Sequence, residues 1–163
     1  FDPASRKNVD RTNDPYIPRK GAPEAGICPE CHAISRKKRW YVDEEEYAAL
    51  ARTGAALRRC PACRKIADGH PSGVVTLRGG FLRTHREELL TIARNEELRA
   101  RGINPLERIM EIRDGRDGVE LLTTDEKLAQ RIGREIRKAC RGTVSFKWSE
   151  DANLLRVTWV RDA

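Results

Sequence analysis

The spacing of apolar residues changes character twice along the chain. Over residues 1–25 apolar positions are too sparse to form a stripe, and Pro3, Pro15, Pro18 and Pro23 fix φ and remove backbone donors. An extended basic tail is expected there, with Arg19 and Lys20 among its cations. The chain opens on Phe1 instead of Met, and a longer native N-terminus is expected. Residues 26–72 carry short signals. Arg39–Val42 reads as a strand, and Asp43 as the N-cap of a helix from Glu44 to Arg58, with Glu44, Glu45 and Glu46 in its first turn, where negative charge suits the helix dipole.

Longer periodicities start at Gly73. Val74–Leu77 reads as a strand with a Gly79-Gly80 break behind it. Leu82, Leu89, Ile92, Ala93 and Leu98 predict a helix from Phe81 to Arg101, ended by Gly102. Leu106–Ile112 and Val119–Thr123 read as strands around the Asp114-Gly115 and Asp117-Gly118 turn signals. Thr123 with Glu126 forms a capping box for the clearest helix, Asp125 to Arg141. Its stripe is Leu128, Ala129, Ile132, Ile136 and Ala139, and Gly142 stops it. Thr143–Trp148 and Leu154–Val160 alternate as two last strands. This order predicts an α+β protein: a tail (1–25), a Cys-rich module (26–72) and a ferredoxin-like βαββαβ sandwich with one added strand (73–163).

Two Cys-Pro-x-Cys pairs supply the candidate chemistry: Cys28 with Cys31, and Cys60 with Cys63. Such knuckles turn the backbone so that two thiolates face one cation, and two of them complete a tetrahedral site. With every ligand a thiolate, no position is left for water or substrate, so one structural Zn²⁺ is expected. It would crosslink a region with few large apolar residues. A rubredoxin-like iron site uses the same ligands and stays as an alternative; His32 and Arg64 stand where a small glycine usually lets sulfur accept backbone donors. A thioredoxin-like redox pair fits less well, since that chemistry uses one Cys-x-x-Cys at a strand-to-helix junction. Cys140 reads as a small core residue.

Charge narrows the partner. The net charge is +7, which favours a polyanion such as RNA, DNA or anionic lipid. No apolar run reaches membrane-spanning length and no signal-peptide pattern is present, so lipid ranks last and a cytoplasmic location is expected. Three basic groups are candidate nucleic-acid contacts. Arg36, Lys37, Lys38 and Arg39 precede Trp40, which either packs beside the metal or stacks on an unpaired base. Arg58, Arg59, Arg64 and Lys65 bracket the second knuckle, and the metal is expected to bring both groups to one face. Lys127, Arg131, Arg134, Lys138 and Arg141 form a single-sign stripe on the last helix, read either as a solvated face or as a phosphate contact. His32, His70 and His85 have no Ser or Cys partner in a recognisable arrangement. No P-loop, dinucleotide fingerprint or H-E-x-x-H helix occurs. A non-enzymatic protein is expected, either a ribosome- or rRNA-binding factor or a zinc-ribbon protein of DNA and transcription; electron transfer goes with the iron alternative.

The chain resembles the ribosomal large-subunit nuclear export adaptors, a family named after nonsense-mediated decay. The matching residues are the Cys28-Pro-Glu-Cys31 knuckle, Arg39-Trp40, Arg59-Cys60-Pro-Ala-Cys63-Arg64 and the Gly73–Arg78 segment. Asp117–Thr124, then Ala129, Ile132 and Leu155–Trp159, continue the likeness over roughly residues 25–160. The resemblance implies binding to the large ribosomal subunit and its rRNA through the zinc-containing part. A second knuckle set, further C-terminal domains and an export signal of that family are not matched here, so nuclear export is not implied. The chain looks like a small bacterial relative with a single zinc site, acting in ribosome assembly, dormancy or stress.

Overall fold

The computed structural model describes residues 25–150 and 153–163; the tail expected over 1–25, with Arg19 and Lys20, lies almost entirely outside them. The chain forms two compact units divided between Asp68 and Gly69. The division falls before the expected boundary at residue 72, because Ser72 already bonds to the Thr123 carbonyl and to the Leu155 amide in the second unit.

In the first unit, β1 (Gly26–Ile27), β2 (Ala33–Arg36), β3 (Arg39–Val42) and β4 (Ala56–Leu57) form a sheet in the order β3-β2-β1-β4. Helices α1 (Glu44–Arg52) and α2 (Pro61–Asp68) follow β3 and β4. Asp43 caps α1 as expected, its carboxylate accepting from the Glu46 amide at 3.0 Å. The helix is shorter than the predicted Glu44–Arg58. It ends at Thr53, whose amide bonds to Ala49 and Leu50, and Gly54 then turns at φ +77°. That turn frees Ala56–Leu57 to pair in parallel with β1.

The second unit holds β5 (Gly73–Arg78), α3 (Gly80–Ile103), β6 (Ile109–Asp114), β7 (Gly118–Thr123), α4 (Glu126–Cys140), β8 (Thr143–Ser149) and β9 (Leu154–Val160). The element order is the expected one and the sheet is mixed, ordered β6-β7-β5-β9-β8. The added strand is not appended outside the sandwich. It inserts beside β5, parallel to it, and displaces β8 to the edge. In a ferredoxin-like sheet the strand after the second helix would take that inner place. The composition of the strands gives the reason. Leu155, Val157 and Trp159 on one face of β9 are fully buried, whereas β8 alternates Thr143, Ser145 and Lys147 with partly exposed apolar residues.

Val75, Leu77, Val119, Leu121, Leu155, Val157 and Trp159 point from the sheet to α3 and α4 and make one core with Leu89, Leu90, Ala93, Leu128, Ile132 and Ile136. Several local readings change. α3 runs past Gly102 to Ile103, and Leu98 is 65% exposed. Leu98 lies five residues beyond buried Ala93, about 140° around the helix. Asp125, not Thr123, caps α4, accepting from the Lys127 amide at 2.7 Å, while Thr123 ends β7 and donates to the Asp125 carbonyl. Cys140 closes the α4 stripe in place of exposed Ala139, as its reading as a core residue requires.

Two glycines set close approaches. A Cβ on Gly133 would lie 2.6 Å from Val157 Cγ1, so α4 sits directly on β8 and β9. At Gly79 φ is +109° and a Cβ would lie 2.0 Å from the Arg161 carbonyl oxygen. Gly79→Ala should therefore cost about 3 kcal/mol of stability in urea unfolding.

Candidate metal centre and basic surfaces

The first unit has little apolar material to hold it. Its buried hydrophobic residues, among those described, are Ile27, Ala33, Ile34, Ala62 and three cysteines. The cysteines occupy the end of the sheet where β1 leads out and β2 and α2 begin. Cys28 follows β1, with its amide bonded to the Ala33 carbonyl at 2.8 Å, and its own carbonyl accepts from the His32 amide at 2.9 Å. This turn puts His32 at φ +67°, in the left-handed region. The ring stacks on Tyr47 with centroids 4.0 Å apart and meets Glu44 at 3.2 Å. His32 thus braces the first knuckle against α1, as its reading as a loop support anticipates. The second knuckle is the start of α2. The Arg64 amide bonds the Cys60 carbonyl at 3.0 Å, and the Cys63 amide donates to Cys60 Sγ at 3.3 Å.

The four Sγ atoms of Cys28, Cys31, Cys60 and Cys63 all lie within 4.8 Å of one another. Tetrahedral coordination at about 2.3 Å per metal–sulfur bond separates sulfurs by about 3.8 Å, so the cluster fits a single metal ion. The electrostatics agree. The Cys60 thiol, 3.5 Å away, hydrogen-bonds Cys31 and, against burial, draws its pKa down from 9.0 to about 5, helped by the Ala33 backbone. The same hydrogen bond, with burial, pushes Cys60 up. Four thiolates this close repel strongly unless a cation is shared among them. Cys28, Cys60 and Cys63 are buried and Cys31 is half-buried. All four ligands are sulfur and belong to this chain, so bound metal would be closed in.

The basic candidates separate into paired and unpaired groups. Along β2 the metal end and the hairpin end are opposite, which holds Arg36–Arg39 about 13 Å from the first knuckle instead of gathering them beside it. Arg36 is engaged by Glu46 at 2.8 Å and by the Tyr41 hydroxyl at 3.0 Å. Lys37 and Lys38 form the exposed hairpin tip, at φ +51° and +66°. Neither they nor Arg39 forms an ion pair among the described residues. Trp40 is half-buried opposite Ser35, and its buried indole N–H meets no acceptor among the described residues. Arg58 lies against Gly26, and Arg59 pairs with Glu30 at 2.9 Å. Arg64 is exposed and Lys65 half-buried on α2.

On α4 the expected stripe divides. Arg131 pairs with Glu107, in the segment between α3 and β6, and, at 3.5 Å, with Glu96 on α3. Both carboxylates are buried, at 6% and 5% exposure. Burial, with Asp125 nearby, raises the Glu107 pKa against the pull of Arg131. Arg131 is therefore a structural counterion. Lys138 pairs with Glu135 at 3.0 Å. Lys127, Arg134 and Arg141 are exposed with no ion pair among the described residues, as is Arg137, which the stripe reading omitted. Arg137 sits on the same flank as Arg134 and was discoverable from helical spacing. Comparison with known family profiles, with curated proteins and with solved structures found no match to this chain.

Proposed function

We propose that the chain is a non-enzymatic, zinc-containing factor that binds the ribosome, chiefly the large subunit and its rRNA, in assembly, dormancy or stress, in the cytoplasm. Cys28, Cys31, Cys60 and Cys63 would hold the zinc, which supplies a crosslink between the two knuckles and no reactive position. The supporting observation is how the surplus positive charge is distributed. The acids near Arg36, Arg59 and Arg131 neutralise those side chains locally. Exposed cations without an ion pair among the described residues then cluster at the hairpin tip (Lys37, Lys38, Arg39) and on α4 and its C-cap (Lys127, Arg134, Arg137, Arg141), while others, such as Arg83, Arg94, Arg116 and Arg156, are scattered. Cations without carboxylate partners are the ones able to replace counterions on a phosphate backbone. Two lysines at left-handed φ in one turn are costly choices for a mere connection, where Asn-Gly is favoured. The resemblance of the knuckle and β5 segments to the large-subunit export adaptors supplies the ribosome as the specific partner.

Pelleting with purified ribosomes across a salt series tests this reading. Arg134→Glu with Arg137→Glu should weaken binding about tenfold or more and flatten its dependence on salt. Neither side chain holds a buried acid, so the fold is retained, which circular dichroism checks. Unchanged binding and an unchanged salt slope would remove α4 from the interface.

A further inference from the structure

At the β8 margin of the second unit the surface combines aromatic rings with unpaired arginines. Phe146 and Trp148 alternate on the α4 side of β8 and are 41% and 51% exposed. The register places them opposite Val157 and Leu155, which α4 covers, whereas β8 lies beyond most of that cover. Arg134 reaches across from α4, its guanidinium carbon 5.5 Å from the centre of the Phe146 ring. Arg137 follows on the same helix flank, and Arg141 caps the helix end at φ +63°, both exposed. On the other face of the strand Lys147 sits opposite Arg156. Among the described residues the nearby acids are few. Glu135 is paired with Lys138, Glu126 is half-buried at the start of α4, and Glu150 follows the strand.

An exposed edge strand with large apolar side chains invites aggregation and is ordinarily blunted by charge, proline, a bulge or a covering element. In a chain with so few aromatics, two of them side by side at such an edge ask for an occupant. Their spacing along one face is about 6.8 Å, enough for each ring to take its own base. Rings supply stacking area that any base can use, and flanking guanidiniums supply phosphate contacts. A duplex hides its base faces, so the complementary ligand is unpaired. We propose that Phe146, Trp148 and Arg134 form a stacking platform for unpaired RNA bases, with Arg137 and Arg141 holding the adjoining phosphates. This rests on the RNA-binding reading above and assigns it a second surface, distinct from the metal module. Arginine flanks and Lys147 disfavour the other use of an edge strand, addition of a protein strand to β8.

The test is fluorescence anisotropy of the full chain with a labelled unpaired RNA of about a dozen nucleotides and with the same sequence as duplex, alongside ribosome pelleting. Wild type should prefer the unpaired RNA. Phe146→Ala with Trp148→Ala should weaken it at least tenfold, Trp148→Phe should keep most of it, and Leu98→Ala, an exposed apolar site on α3, should change nothing. Equal RNA binding by the double alanine variant would overturn the platform, as would wild type that pellets with ribosomes yet ignores bare RNA. The second outcome leaves the ribosome reading standing. Loss of ribosome binding in the alanine variant with bare RNA binding intact would put a protein strand on β8 and overturn the platform. Wild type that binds neither RNA nor ribosomes overturns both readings.

Discussion

Cys60→Ser should release the metal and unfold the first unit while the second unit keeps its structure. The reasoning is quantitative. Beyond the cysteines, Ile27 and Ile34 are the large side chains buried there among the described residues, worth about 1.5–3 kcal/mol each. Ordering the backbone costs about 1–2 kcal/mol per residue, so these residues cannot hold forty others in place. A closed four-sulfur zinc site contributes roughly 10–16 kcal/mol, and only in the folded state. Its ligands tie β1 and β2 to α2, the two ends of the module. The expected reading in amide NMR is collapse of residues 26–68 to random-coil positions, with residues 73–163 still dispersed. Elemental analysis should fall from about one zinc per chain to none, and chelation of wild type should reproduce both effects. Cys140→Ser, in the core of the second unit, should keep the metal. A first unit that stays folded without metal would show that its side chains suffice.

Arg131→Met should destabilise the second unit by about 3 kcal/mol. Removing one partner of a buried charge cluster weakens the compensation of the others: here two carboxylates at 5% and 6% exposure lose their shared cation, and Glu96 keeps only the exposed Arg99 at 3.3 Å. The loss is moderated because Arg131 itself is 40% exposed and water screens part of the interaction. The pH dependence has a definite sign. Burial raises the Glu107 pKa above its ordinary value while Arg131 lowers it, so the variant raises it further. A folded state that binds the proton more tightly than the unfolded one gains stability as pH falls toward the unfolded carboxylate value. The deficit in urea unfolding should therefore be larger at pH 7 than near pH 5. An equal deficit at both values would place its origin in lost packing. This role also means that charge reversal at Arg131 tests folding and not ribosome binding, which is why Arg134 and Arg137 are the informative positions.

The four-cysteine cluster was legible because each knuckle is local, and its chemistry depends on residue type and spacing. The strands of the second unit were legible for a similar reason: β9 was located to the residue by alternation that buries one face. Sheet order was not legible. Alternation shows which face of β8 or β9 is apolar, but not which strand lies inside. That depends on the summed burial of Leu155, Val157 and Trp159 against β5 and both helices. Arg131 was misread because period alone cannot distinguish a solvated arginine from one facing buried acids far back in the chain, Glu96 on α3 and Glu107 after it. The predicted Glu44–Arg58 helix ran too long because a single glycine does not by itself end a helical pattern, whereas the left-handed φ of Gly54 is where the chain turns back to pair β4. Lys37 and Lys38 were expected to converge with the second knuckle on one face, and only the pairing of β2 with β3 shows them at a hairpin tip away from the cysteines.

The most direct measurement is a low-salt sucrose gradient of lysate carrying the native protein, fractionated and probed for the chain. Migration with the large subunit or with whole ribosomes is the predicted result, lost progressively as salt is raised because the proposed contacts are to phosphates. Protein that remains at the top of the low-salt gradient would contradict the account.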